Sequence, residues 1–533
     1  MPKPFPAAPA ADSQCAVRVA FLPVLALLLS ACTVGPDFER PTPWWNPTSW
    51  NGAGHQETLS VSQPVAEPVD PQWWKLFGDP QLTGLEQRLA EVNLDVRVAS
   101  IRLAESRASS GVAAAAGLPS VNGNTSYTYQ QLSQKGALSL VSTGAAASQS
   151  NGAGQAQNGA QVPNVGIFQP FNLFQYGFDA SWEADIWGRV RRSVESADAS
   201  VDASEDARRD TLLTAAAELA RDYIQLRGVQ RNLDITRQNL DIARQTLDLT
   251  RQRAEGGLTT DLDVANAAAQ VATVTAELPT LEAQQAQLIN AIGLLLGEKP
   301  AALTADLADP KAIPPVPPRV PVGLPSELAR RRPDIRRAEA QLHAATADVG
   351  VAVANFYPSI SLSGSAAIQA IQFSDLADWG AAKTFALGPS ITLPIFEGGK
   401  LKRTLELRQA QQQEAAVSYQ RTVLGALHEA DNALTAYDAE QRRREQLQQA
   451  VAQNHRALSL ALDRYREGVI DFLQVLDVQR SLLAAEQQFT DSTTTVSTDL
   501  VQIYKVLGGG WETDFPDAPP AAAKGAAAKG AAL

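Results

Sequence analysis

The sequence predicts a mainly α-helical chain that also carries four membrane-type β-strands, the whole built as an internal two-fold repeat. Three observations lead there. Long spans are free of helix breakers: no Pro occurs between Pro170 and Pro279 or between Pro394 and Pro516, and Ala, Leu, Gln, Arg and Glu fill those stretches. Four shorter segments alternate apolar and polar residues with period two. The chain also repeats itself: RAEGGLTTDLDV at 253–264 aligns with RYREGVIDFLQV at 464–475, and LPSVNGNTSY from Leu118 matches YPSISLSGSA from Tyr357.

The helices come first. Leu212, Leu219, Leu226, Leu233, Leu240 and Leu247 recur every seven residues, which implies left-handed supercoiling against neighbouring helices. The positions three later (Ala215, Asp222, Val229, Thr236, Ala243, Thr250) are small or polar on balance, so this helix packs closely without being a simple two-stranded zipper. A continuous helix from Arg189 to Arg253 spans ~98 Å, and one from Lys400 to Arg466 about 100 Å. Each half then reads as helix, strand, strand, very long helix, tight Gly turn, helix, with the turns at Gly257 and Gly468. A Pro-rich segment, PPVPPRVPVGLP at 314–325, separates the halves.

The strands fall near 118–131, 171–187, 357–370 and 384–396. The second is the clearest: Phe174, Tyr176, Phe178, Ala180 and Trp182 alternate with Gln175, Gly177, Asp179, Ser181, Glu183 and Asp185. Every strand has one apolar and one small or polar face and about the ten residues that a tilted strand needs to cross a bilayer. Four strands cannot close a barrel, and an open edge in lipid leaves backbone groups unpaired, so several chains must share one. Two copies give eight strands with a filled interior; three give twelve and room for a pore, which suits the polar face better. On that face Asp179, Glu183 and Asp185 either favour cations or only keep the wall wet.

At the N-terminus the apolar run VAFLPVLALLL, Val19 to Leu29, follows Lys3 and Arg18 and ends in Leu29-Ser30-Ala31-Cys32. Positive n-region, short h-region and small residues describe a signal peptide over 1–31. The tetrapeptide resembles a bacterial lipobox, which implies that Cys32 is diacylated and becomes the mature N-terminus, and Thr33 in place of Asp implies passage to the outer membrane. Cys15 leaves with the signal, so no internal disulfide is possible. Residues 32–79, rich in Pro and Trp, form an extended segment packed through its Trp side chains. The remaining divisions are a first repeat over 80–300, a linker over 301–325, a second repeat over 326–511 and a disordered tail over 512–533.

A net charge of -12 argues against nucleic acid as a partner. Met1 is the only methionine and the four His are scattered, so no metal site is visible. Gly398-Gly399-Lys400 is followed by Leu401 rather than Ser or Thr, and no GxSxG, HExxH or paired-Cys motif occurs, so no enzymatic activity and no cofactor beyond the lipid at Cys32 is expected.

ACTVGPDFERP, WWKLFGDPQLTGL, the run LPSELARRRPDIRRAEAQLHAATADVGVAVANFYPSISLSGS (Leu324 to Ser365), Arg464 to Arg480 and IYKVLGGGW (Ile503 to Trp511) together resemble the TolC-like outer membrane factors of tripartite efflux pumps, in their lipidated NodT-type branch. The resemblance implies a homotrimer with a twelve-stranded barrel in the outer membrane and an α-helical tunnel through the periplasm. It implies a periplasmic adaptor and an inner-membrane transporter of the RND class as partners, and passive, gated export of drugs or other small toxic molecules. It also implies a closed tip in which Leu473 is the apolar constriction, Asp477 the acidic ring, and Arg464, Tyr465 and Arg480 polar locks, with Gly257 and Gly468 as hinge turns. Leu473, Asp477 and Arg480 stand at i, i+4 and i+7, one helical face. The first half departs from the second, with Ala254 where Tyr465 stands. The Arg331-Arg332-Pro333-Asp334-Ile335 segment reads as structural, with Pro at a helix start. A type I protein-secretion duct and a non-conducting structural lipoprotein are the alternative readings.

Overall fold

The structure is a computed structural model of the 533-residue chain, described over residues 33–41, 50, 62–131 and 170–517. The signal peptide, Cys32 and the Ala/Lys/Gly tail lie outside the described residues. Along the chain, β1 (Gln63–Val65) and a 3-10 turn (Trp73–Phe77) precede α1 (Pro80–Val92), α2 (Leu94–Ala115), β2 (Ser120–Gln130), β3 (Phe171–Ala184), α3 (Arg189–Glu255) and α4 (Asp261–Leu295). Then come α5 (Thr304–Leu307), β4 (Arg319–Pro321), α6 (Leu328–Arg331), α7 (Pro333–Ala354), β5 (Ser359–Ala370), β6 (Lys383–Thr392), α8 (Lys400–Arg466) and α9 (Phe472–Leu507). Both long helices form as the sequence predicts, each of 67 residues. No described helix is long and apolar enough to cross a membrane.

All four strands form, with shifted ends. β3 stops at Ala184, short of the predicted 187, because the chain turns at Gly188 with a φ of 81°. β6 stops at Thr392 rather than 396, opposite Ser359, where its partner strand β5 begins. The predicted linker over 301–325 is more than a linker, since β4 pairs in parallel with β1 and α5 lies within it.

Two compact units share the chain. One, residues 1–37, 110–196 and 346–409, holds a four-stranded antiparallel sheet of order β2-β3-β5-β6. Adjacent strands in the sheet are therefore joined within a repeat (β2-β3, β5-β6) or meet across the repeats (β3-β5). The segment after residue 32 packs here: Val34 N donates to the Trp187 carbonyl at 3.1 Å and Asp37 pairs with Arg192. A Cβ on Gly188 would come within 2.7 Å of Thr33, so only glycine lets the two approach.

The other unit, residues 38–109, 197–345 and 410–533, is helical and holds the main core. All six heptad leucines of α3 are buried. Trp73 is fully buried, stacks on Tyr504 at 5.5 Å and donates from Nε1 to the Gly509 carbonyl, so the predicted Trp-mediated packing of the N-terminal segment holds. Asp79 caps α1 by accepting from the Gln81 and Leu82 backbones and takes a hydrogen bond from the buried Tyr223 hydroxyl at 2.7 Å. Arg332 of the RRPDI segment is buried, donating to the Val506 carbonyl and pairing with Asp334 and Glu429, which is the structural role the sequence indicates. Residues 512–517, predicted as the start of a disordered tail, are instead held: Asp517 pairs with Arg209 and Arg336, and the Arg208 guanidinium lies 3.9 Å over the Phe515 ring. Low complexity begins after them, and the cation-rich α3 and α7 surfaces fix what precedes it.

Candidate channel face and tip

Strand alternation sorts the sheet into two chemically distinct faces. On one, the cross-strand rows are Phe178-Ala366-Phe385, Ala180-Gly364-Leu387 and Trp182-Leu362. Phe178, Trp182, Leu362, Phe385, Leu387 and Ile391 are all exposed in the single chain. On the other, Asn122, Asp179, Ser365 and Ala386 share one row and Glu183, Ser361 and Ser390 another. Hydroxyl pairs tie this face together, Ser120 to Ser181 and Ser361 to Ser390, each at 2.9 Å. The outer strands β2 and β6 each leave one edge unpaired, so within one chain two rows of N–H and C=O groups have no strand partner.

At the end of the sheet next to α3 the ring of Trp187 stacks on Tyr357 at 4.8 Å and donates to the Pro358 carbonyl. Here two predicted wall acids meet cations. Arg189 grips both oxygens of Glu183, at 3.0 and 2.6 Å, and Asp185 accepts the Arg191 backbone N–H at 2.9 Å while pairing with its guanidinium. Asp179 is exposed on the polar face and, among the described residues, accepts only from the neutral Asn124 side chain. The sequence pattern alone treated the three acids alike; the two arginines that separate them sit in the first turn of α3, where the helical period replaces the strand period.

In the helical unit, both Gly turns close in the same way. The Gly257 and Gly468 N–H groups bond the Ala254 and Tyr465 carbonyls, and the next N–H groups, Leu258 and Val469, reach back to Arg253 and Arg464. Positive φ values of 70° and 77° at the two glycines complete paired helix-ending motifs of this kind. Past the second turn, Leu473, Asp477 and Arg480 are exposed on one side of α9, while Phe472, Val475, Leu476 and Gln479 are buried. The three side chains therefore share one exposed face of the helix. Asp477 and Arg464 have no hydrogen bond or ion pair among the described residues, and Arg480 donates to Gln270 of α4 at 2.9 Å.

Tyr465, which the resemblance implies to be a polar lock, does not stand on that exposed face. It is buried, tilted against Phe472, with its hydroxyl toward Thr250 at 3.5 Å. Over its ring, at 4.7 Å, lies the guanidinium of Arg253, which donates to the Tyr465 and Arg466 carbonyls at 2.8 and 3.0 Å. One side chain from the first half thus satisfies two end carbonyls of α8 in the second half. The reverse contact is missing because Ala254 offers Arg464 no ring. The repeat alignment showed Arg253 opposite Arg464 but gave no sign that only one of them is engaged. The helices after the turns also differ: Thr260 and Asp263 form a reciprocal cap on α4, whereas Asp471 makes no side-chain cap on α9.

The pattern of the outer membrane efflux protein family matches residues 85–298 and 324–509, three quarters of the chain in two consecutive stretches. The chain belongs to the outer membrane efflux protein family. Outer membrane protein OprJ of Pseudomonas aeruginosa is 33% identical to this efflux protein over 495 residues, 92% of this chain and 95% of OprJ. The toluene efflux pump outer membrane protein TtgI of Pseudomonas putida is 30% identical over 499 residues, 92% of this chain and 98% of TtgI. The solved outer-membrane channel OprN matches with a TM-score of 0.78 at 34% identity, over 90% of this chain and all of OprN. The open state of the MtrE channel of Neisseria gonorrhoeae matches at 0.70 and 26%, over 90% of this chain and 99% of MtrE. The fold of the efflux protein is that of TolC-like outer-membrane channels, and its place is the outer membrane. It is an outer-membrane channel component of an efflux pump and not an enzyme.

Proposed function

We propose that this efflux protein is the passive, gated exit duct of a tripartite pump: three copies close one barrel, a periplasmic adaptor and an RND-type inner-membrane transporter feed it, and small organic molecules leave through it. The observation that carries the reading is the sheet itself. It has one apolar exposed face, one polar face and two open edges, and joining the β6 edge of one copy to the β2 edge of the next closes a barrel without leaving backbone groups bare in lipid. Leu94, Val98, Ile101 and Val112 add an exposed apolar stripe on α2 that a second copy covers. Relatives named as toluene, antibiotic and pyoverdine exporters favour small molecules over secreted proteins as cargo.

The anchoring part of the proposal is a diacylated Cys32. It is supported by the tight packing of the residues that follow it, since Thr33, Val34 and Asp37 are held beside Trp187 and Arg192 at the aromatic end of the sheet. Mass spectrometry of the mature N-terminus tests it, and an unmodified residue 32 refutes it.

The gate in this reading is the exposed Leu473, Asp477 and Arg480 face of α9, brought into rings by three copies, with Arg464 free to reach a neighbour. The uncapped start of α9 next to the capped start of α4 favours the second-half turn as the one that moves. Replacing Asp477 and Arg480 with Ala raises single-channel conductance in planar bilayers; a channel that stays as closed as the parent removes the gate assignment.

A further inference from the structure

The polar face of the sheet is almost free of charge. Among the described residues of β2, β3, β5 and β6 that point to it, only Asp179 and Glu183 are ionisable, and none is cationic. Lys383 lies on the opposite face, across from Ile368. Glu183 gives both its oxygens to Arg189, so that pair contributes little net field. Asp185 stands past the strand end and is matched by Arg191. Asp179 is different: its one partner, the Asn124 amide, is neutral and leaves the charge whole, and its neighbours in the row are Asn122 and Ser365. Two further acids, Asp375 and Asp378, belong to the β5-β6 hairpin loop, off the strand faces, and there Asp378 accepts the Gly380 and Ala381 backbone N–H groups.

We infer that Asp179 alone sets the charge selectivity of the β-barrel section, favouring small cations and protonated amines over anions, and that Glu183 and Asp185 do not contribute. This rests on the reading that the polar face lines a shared lumen. Three copies then place a ring of three carboxylates at one level of a wall otherwise made of hydroxyl, amide and small side chains. Rings of like charge select by sign, and in a pore as wide as a twelve-stranded barrel the effect fades with distance beyond about one Debye length, ~8 Å at physiological salt. Selectivity therefore strengthens as salt is lowered.

The test is the reversal potential of the purified full-length trimer in planar bilayers under a KCl gradient. The wild type is expected to be cation-selective, and Asp179→Asn, or Asp179→Ser should the amide perturb folding, moves the reversal potential toward zero while conductance persists. Asp179→Lys carries it to the anion side. Removing the neutral pairs whole, as Glu183→Gln with Arg189→Gln and as Asp185→Asn with Arg191→Gln, leaves it at the wild-type value. The inference is overturned if Asp179→Asn leaves selectivity unchanged both alone and beside Asp477→Asn, or if Asp375→Asn with Asp378→Asn abolishes it instead. Intact trimers that pass no current at all would sink the duct reading as well, a result distinct from a conducting channel whose selectivity ignores Asp179.

Discussion

Substituting Arg253 isolates the clamp between the two Gly turns. Its guanidinium makes two charge-assisted hydrogen bonds to the last carbonyls of α8 and covers the Tyr465 ring. A hydrogen bond from a charged group contributes about 1.5–3 kcal/mol net, and a partly exposed cation–π contact about 0.5–1 kcal/mol. Water reaches carbonyls at this half-exposed end once the arginine is gone, so the loss for Arg253→Ala is set at roughly 2–3 kcal/mol. At 1.4 kcal/mol per tenfold this is about a 30- to 140-fold shift toward a released second-half turn. Hydrogen exchange reads it directly, because the Gly468 and Val469 amides bond the Tyr465 and Arg464 carbonyls in that turn. Their exchange should quicken by that factor in Arg253→Ala and less in Arg253→Lys. Single-channel recordings should show more frequent opening in the same order. Unchanged protection at Gly468 and Val469 in Arg253→Ala would refute the clamp.

Two acids, the buried Glu86 and the half-buried Asp499, give predictions of stability. Glu86 of α1 is buried with neither carboxylate oxygen hydrogen-bonded, and burial pushes its pKa well above the usual carboxylate range. Glu86→Met should stabilise the protein by about 1–3 kcal/mol at neutral pH, measured by denaturant unfolding, and Glu86→Ala should not match it because a cavity replaces the side chain. Asp499 of α9 is pushed up to about 6 by burial, with the nearby Glu440 adding to the shift. A pKa raised on folding means that the folded state holds the proton more tightly, so this contribution is fully present below the ordinary carboxylate value and is lost as pH rises through about 6. Thermal midpoints of wild type and Asp499→Asn should therefore converge at pH 4 and diverge at pH 7.5 in favour of the variant, and parallel curves would exclude the linkage.

Much of the architecture is legible in the sequence because it rests on periodicity. The seven-residue leucine spacing, the Pro-free spans and the alternation within four segments are properties of one element at a time, and α3, α8 and the four strands follow from them. The two Gly turns were also visible, since only a residue at ease with positive φ ends a helix and reverses the chain in so few steps. Strand ends were less so. Alternation continues through Ile395, yet pairing stops at Thr392, opposite the first residue of β5. The Pro-rich segment misled for a related reason: Pro at a strand edge is compatible with the short β1-β4 pairing, which no local pattern announces.

The candidate site divides along the same line. That Leu473, Asp477 and Arg480 share a face, and that Asp179 and Glu183 point one way, followed from helix and strand geometry. Which of these charges stays free did not. Glu183 is quenched by a residue six positions on, across a change from strand to helix, and Tyr465 is withdrawn from the surface by an arginine more than two hundred residues away. The sequence by itself determined the repeat, the elements and the two-faced strands, because each depends on backbone period. Only the tertiary structure decided which repeat-related residue is engaged and which acid remains uncompensated. Those outcomes depend on distances between side chains that are remote in sequence, and a carboxylate within reach of a guanidinium is a different group from one beside an amide.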